Sequence, residues 1–180
     1  LSKTKNVTYS IAKQKNKGFL EWNDIEPHIK ENTKLVISNH ISNVNGDIAK
    51  VEEIGQKLKE RNIAFLGDGA QSGGHFRYDM KKMGISMLVF APHKGFYSAQ
   101  GVGALVLNGE IKLEPLIFGG TGTNSLELKQ PKEYPERLES GTLNSPAIIS
   151  FGAGIDFVED NFDAIKEKMA DFAGRRRDKQ

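Results

Sequence analysis

Cysteine is absent from this chain of 180 residues, which excludes disulfides, thiolate metal sites and a cysteine nucleophile within it. No apolar run reaches the roughly 18 residues that a membrane-spanning helix needs. The first residues, Leu1 to Lys5, lack the apolar stretch of a signal peptide. Excess charge of one sign is missing too. Twenty-five Lys and Arg against 23 Asp and Glu leave a formal net charge of +2, too balanced to argue for a nucleic-acid partner. The terminal Arg175-Arg176-Arg177 run then reads as a solvated tail. Aromatics are only 8%, but 38% hydrophobic and 27% charged residues exclude disorder and low complexity. A cytoplasmic location and one compact domain are the expectations. Glycine is in excess, with 19 residues against an average usage of about 7%.

Short apolar runs ending in polar, glycine-containing loops predict the buried strands of an α/β sheet. Leu35-Val36-Ile37 leads into Ser38-Asn39-His40, and Ile63-Ala64-Phe65-Leu66 into Gly67-Asp68-Gly69. Met87-Leu88-Val89-Phe90 leads into Ala91-Pro92-His93-Lys94, and Ala104-Leu105-Val106-Leu107 ends at Asn108-Gly109. Between the first two, Ile48, Val51, Ile54 and Leu58 follow helical spacing, predicting a helix from about Asp47, as N-cap, to Arg61. That βαβ unit requires parallel strands and a right-handed crossover. Shorter helices are expected from Asp24 to Lys30, with Pro27 in the first turn, and from Asp79 to Met83. The segment Gly101–Leu107 follows its predecessor too closely for a crossover and is expected to pair antiparallel. Two helices are expected near the end, one from Asn144 or Ser145 through Phe151, the other from Asp160 through Phe172.

Ligands of open α/β sheets sit beyond the carboxyl ends of the strands. Polar residues converge there: Asn43 after one strand, Asp68 and Gln71 after another, His93 and Lys94 after a third. A lysine at a partly desolvated sheet edge can attack a carbonyl and form a Schiff base. Asp68 could pair with a protonated ring nitrogen, and Gln71 with a neighbouring ring oxygen. The plain alternatives are a solvated lysine and an Asx turn. Taken jointly, Asp68, Gln71 and Lys94 suit pyridoxal phosphate, which needs a lysine for its aldehyde and an acid for its pyridinium. The loop Gly119-Gly120-Thr121-Gly122-Thr123-Asn124 could form an anion nest but lacks the lysine of a phosphate-binding P-loop. Gly141-Thr142 precedes a predicted helix, where amides and a hydroxyl can meet phosphate, although a capping loop fits equally. His28, His40, His75 and His93 lack the paired spacing of a metal site.

Several motifs occur in a telling order: Ser42-Asn43-Val44-Asn45-Gly46, Asp68-Gly69-Ala70-Gln71-Ser72, His93-Lys94-Gly95, Gln100-Gly101-Val102-Gly103-Ala104-Leu105, Gly119-Gly120-Thr121-Gly122 and Glu139-Ser140-Gly141-Thr142-Leu143-Asn144. Over about residues 30 to 158 this series resembles the class V aminotransferases, and within them the cysteine desulfurase and selenocysteine lyase branch. The resemblance implies a mainly parallel sheet flanked by helices, part of the large domain of a type I pyridoxal-phosphate fold. Residues 1 to 158 would be the central part of that domain. Residues 159 to 180 would be a helix and tail leading toward a C-terminal small domain. Lys94 would hold the cofactor aldehyde, Asp68 its pyridinium nitrogen and Gln71 its phenolic oxygen. His93 would help bind the phosphate, Asn43 would lie near the ring oxygen or substrate, and Thr142 would reach the phosphate of a neighbouring subunit in a homodimer. The implied reaction removes sulfur from cysteine and leaves alanine.

Family members usually carry Ser or Thr where Ala91 stands, Gly in place of Pro92, and Gly-Pro in place of Ser98-Ala99. These departures support a competing reading, a non-catalytic dimerising relative. A transaminase or selenocysteine lyase also fits the motifs. The resemblance further implies that the chain is a fragment of a longer enzyme and inactive alone.

Overall fold

The computed structural model describes residues 7–15, 18–109, 111–122 and 129–177, the side chains of 172–177 excepted. Leu1 to Lys5, Thr123, Asn124 and the Phe172 side chain, all used above, lie outside the described residues. The central sheet has four strands: β2 (Leu35–Asn39), β4 (Ala64–Asp68), β5 (Met87–Phe90) and β6 (Ala104–Leu107). Their spatial order is β2-β4-β5-β6. The first three run parallel, with Leu35 opposite Ala64 and Leu66 opposite Met87, while β6 returns antiparallel with Leu107 opposite Met87. All four expected strands and both expected directions are found.

Helix α2 (Val51–Glu60) is the crossover between β2 and β4. Val51, Ile54, Gly55 and Leu58 form its buried stripe, at the spacing of one helical face. Ile54 and Leu58 are fully buried in one cluster with Trp22, Ile25, Phe65, Ile85 and Leu88, each such side chain contributing about 1.5–3 kcal/mol. Along β4 every second residue is buried, so Phe65 and Gly67 face this core and Leu66 and Asp68 the opposite side. That opposite face is less covered than unbroken apolar runs suggested. Leu35 is 43%, Ile37 65% and Leu105 42% exposed.

Several helix boundaries differ from expectation. The crossover helix starts four residues late, because Ile48–Ala49 is a short strand, β3, paired parallel with β1 (Phe19–Leu20). Asp47 is therefore no N-cap, and its carboxylate takes the Asn45 Nδ2 amide at 2.7 Å instead. Helix α1 spans Trp22–Ile25 and continues as a 3-10 turn over Glu26–His28, holding Pro27 at its start. It begins before Asp24 because the Asp24 side chain reaches back to the Glu21 backbone N–H at 3.1 Å, a capping box. The segment Asp79–Met83 forms turns, not a helix, closed by the Met83 N–H on the Asp79 carbonyl at 2.8 Å.

The two expected terminal helices are one. Helix α3 runs without a break over Ser145–Arg177, across residue 158, and carries the arginine run as helix backbone in place of a tail. No proline or backbone break interrupts residues 152–159, so the ladder propagates through them. Arg77 anchors its middle, bonding both Glu159 carboxylate oxygens at 3.0 and 3.1 Å and lying 4.3 Å over the Phe162 ring. Among the described residues no helix is long and apolar enough to cross a membrane.

Candidate active site

Parallel β2, β4 and β5 end on one edge of the sheet, which places the loops carrying Asn43, Asp68–Gln71 and His93–Lys94 side by side. Asp68 is the last residue of β4, opposite Asn39 of β2 and Val89 of β5. Its half-buried carboxylate accepts the Ala70 backbone N–H through Oδ1 at 2.9 Å. This is an Asx turn. The turn fixes one oxygen and leaves the other for a ligand. Gln71, half-buried, sits in the same turn, which closes through the Ser72 and Gly73 N–H groups on the Gly69 carbonyl.

His93 and Lys94 occupy a β-turn closed by the Lys94 N–H on the Ala91 carbonyl at 3.0 Å. Buried Pro92 takes the second position, where its fixed φ suits the turn. Both His93 and Lys94 are exposed. The partly desolvated lysine expected from the sequence is therefore not found, because its turn projects past the sheet edge. Lys94 forms no ion pair among the described residues. Ser98, where the family carries Gly, is buried and donates to the Ala147 carbonyl of α3 at 3.3 Å.

Backbone contact joins the two loops. A β-carbon on Gly74 would lie 2.1 Å from the Gly95 carbonyl oxygen, and one on Gly95 2.1 Å from that of Gly73. The turn after Asp68 and the turn holding Lys94 therefore touch without intervening side chains.

Beneath them lies a polar group that sequence reasoning missed. The Tyr78 hydroxyl makes short hydrogen bonds with His40 Nδ1 and Ser72 Oγ. His40 and Ser72 are buried, and the His40 backbone N–H donates to the Asp68 carbonyl at 2.8 Å. Burial pushes the Tyr78 hydroxyl up to about 12, with the Ser72 hydrogen bond opposing and the Asp68 charge reinforcing. Burial also lowers His40. The local signal was there: a histidine directly after a strand, and Phe76-Arg77-Tyr78 directly after a glycine-rich turn.

Asn43 is exposed in the turn between β2 and β3, where Ser42 Oγ accepts the Val44 and Asn45 N–H groups at 3.2 and 3.4 Å. Thr142 is exposed just before α3. Its segment is tied to the glycine loop by the Gly141 N–H on the Gly120 carbonyl at 2.7 Å, and to Gly101 by Asn144 Nδ2 at 3.3 Å. The structure thus gathers Asn43, Asp68, Gln71, His93 and Lys94 at one sheet edge, while Thr142 lies on a different segment. Neither of two clefts, of about 290 and 230 Å³, is lined by Asp68 or Lys94.

A parallel-stranded α/β sheet with a lysine turn and an acid turn in contact defines a class of lysine-bearing, sheet-edge sites. The family model described as aminotransferase class-V matches residues 1–176, and the chain belongs to that family. It is 39% identical over 163 residues to a probable cysteine desulfurase of Pyrococcus abyssi, covering 88% of this chain and 40% of that protein. It is 34% identical over 169 residues to the cysteine desulfurase IscS of Clostridium botulinum, covering 94% of this chain and 39% of that protein. An apo cysteine desulfurase structure from Thermococcus onnurineus NA1 superposes with a TM-score of 0.76 at 35% identity, over 84% of this chain and 39% of that one. The chain spans about two-fifths of the length of these relatives.

Proposed function

We propose that this chain builds the cofactor-holding core of a pyridoxal-phosphate-dependent cysteine desulfurase. The observation that carries the reading is the contact between the turn bearing Lys94 and the turn bearing Asp68 and Gln71, at the ends of neighbouring parallel strands. The donor set fits the cofactor: an amine outside any ion pair among the described residues, and a half-buried carboxylate with one oxygen anchored. The names of the relatives support cysteine as the substrate. So does a similar structure described as SspA in complex with cysteine, 30% identical with a TM-score of 0.65.

When bound, pyridoxal phosphate supplies an electron sink for negative charge on an amino-acid substrate. Lys94 would hold the cofactor aldehyde, and its amine is the group that could move a proton at the substrate α-carbon. Asp68, its carboxylate fixed by the Ala70 N–H, would hold the ring nitrogen. Gln71 would donate to the phenolic oxygen, His93 would help bind the phosphate, and Asn43 would serve the ring oxygen or substrate. The central cofactor domain would take residues 1–158, with helix α3 crossing that boundary unbroken. Thr142, exposed ahead of α3, would serve the phosphate of a second subunit in a homodimer. The chain has no thiol, so the sulfur acceptor lies outside these residues.

The test is borohydride reduction of the 180-residue chain with added pyridoxal phosphate, followed by peptide mass spectrometry. Label concentrated on Lys94, and lost in Lys94→Ala, is the expected result. Label spread over the surface lysines with no preference for Lys94 overturns the reading in favour of a non-catalytic relative.

A further inference from the structure

Three strand ends carry the proposed site, and one side chain touches elements from all three. The Tyr78 hydroxyl bonds His40, the residue following β2, and Ser72, in the turn following β4. Its ring packs edge-on against Phe90, the last residue of β5, with centroids 5.7 Å apart. Phe90 in turn lies under the turn after β4, where a β-carbon on Gly69 would come within 2.8 Å of its ring and one on Gly73 within 2.6 Å. His40 is packed from a second side by Phe76, at 4.8 Å between centroids. None of these residues was assigned a role above.

We propose that Tyr78 is a positioning residue: its hydroxyl ties His40 to Ser72 and so fixes the Asp68–Ser72 turn, and with it the Asp68 carboxylate and the Gln71 amide. The inference rests on the proposed function for what that turn binds, but not for the tie itself. The chemistry suits the task. Tyr78 has one proton and two partners, so it donates to one and accepts from the other, and both buried partners are satisfied only while it is present. Removing it leaves an imidazole nitrogen and a hydroxyl buried without their partner, which costs more than the bonds themselves. Those losses fall on the turn, since the His40 backbone is bonded to Asp68 of β4 and Ala49 of β3, while the Ser72 backbone is bonded only within residues 69–76.

Tyr78→Phe keeps the ring on Phe90 and deletes only the hydroxyl. Hydrogen exchange in the 180-residue chain should quicken about five- to hundredfold at the amides of residues 69–76, the scale of a buried polar group left without its partner, and stay unchanged in α2. Ser72→Ala should quicken the same amides, and the double variant should exceed Tyr78→Phe by little, since both remove one network. With pyridoxal phosphate bound, Tyr78→Phe should shift the pH at which the visible band of the Lys94-bound cofactor changes. A hydroxyl serving stability alone would leave that pH unmoved. Unchanged exchange at 69–76, or faster exchange with an unmoved band, overturns the proposal. If label on the unsubstituted chain shows no preference for Lys94, the functional reading falls, and exchange alone decides the tie.

Discussion

Gly74 and Gly95 lie back to back: a β-carbon on Gly74 would meet the Gly95 carbonyl oxygen at 2.1 Å. Gly74 also has a φ of +81°, a conformation that side chains rarely adopt. Gly95→Ala should therefore force the loops apart. The expected cost is about 1–3 kcal/mol of stability, from overpacking of backbone against backbone. Denaturant unfolding measures it, and loss of the Lys94 label from the folded variant shows that the two turns must touch.

Lys94→Ala should separate function from folding. Lys94 is exposed and without an ion pair among the described residues, so stability should change by no more than about 0.5 kcal/mol. Capture of pyridoxal phosphate should vanish. A large fall in melting temperature would contradict the placement of this side chain.

Asp68→Asn is the sharper test of the acid. An asparagine oxygen can still accept the Ala70 N–H, so the turn should survive. The charge is lost, and with it the charge-assisted bond to the ring nitrogen. Such a bond is worth about 1.5–3 kcal/mol, or roughly ten- to hundredfold in cofactor affinity. Equal affinity in both proteins, measured by fluorescence titration, would remove Asp68 from the site.

Tyr78 should ionise late, above the ordinary tyrosine value. Its folded value is raised from 10.0 to about 12, so the neutral form is favoured in the folded state. The stability this confers is complete below about 10 and is lost as pH rises from there through about 12. Ultraviolet titration should show one late step, and Tyr78→Phe should abolish it.

His40 works in the opposite sense on the acid side. Burial lowers its folded value below the ordinary 6.5, so the unfolded chain binds the proton first. Stability holds above about 6.5 and falls as pH drops toward the lowered folded value. His75 is shifted in the same direction by burial. Denaturation midpoints taken as pH falls from about 7 to about 5 should decline, and decline less in His40→Gln.

The strands were legible because their signal is local. Leu35–Asn39, Ala64–Asp68, Met87–Phe90 and Ala104–Leu107 are short apolar stretches stopped by polar or glycine residues, and they pair as the connection lengths required. The helix boundaries were less so. The start of α2 is set by β3 pairing with β1, 29 residues earlier at Phe19 and Ile48, and no pattern around Asp47 records that partner. The unbroken α3 was not legible because Gly152 and Gly154 weaken the local helical signal, whereas in the fold Gly154 marks the close approach of the helix to the Phe96 carbonyl oxygen, 2.0 Å from a β-carbon built there.

By itself the amino-acid order determined the sheet, the directions of its strands and which polar residues stand at their carboxyl ends, since each follows from hydrophobic spacing and connection length within a few tens of residues. Tertiary structure alone decided that Lys94 stands in solvent, that its turn rests on the Asp68 turn through paired glycines, and that Tyr78 meets a histidine 38 residues away. Burial and contact between distant segments depend on how complete elements pack together, and a window along the chain holds only one side of such a contact.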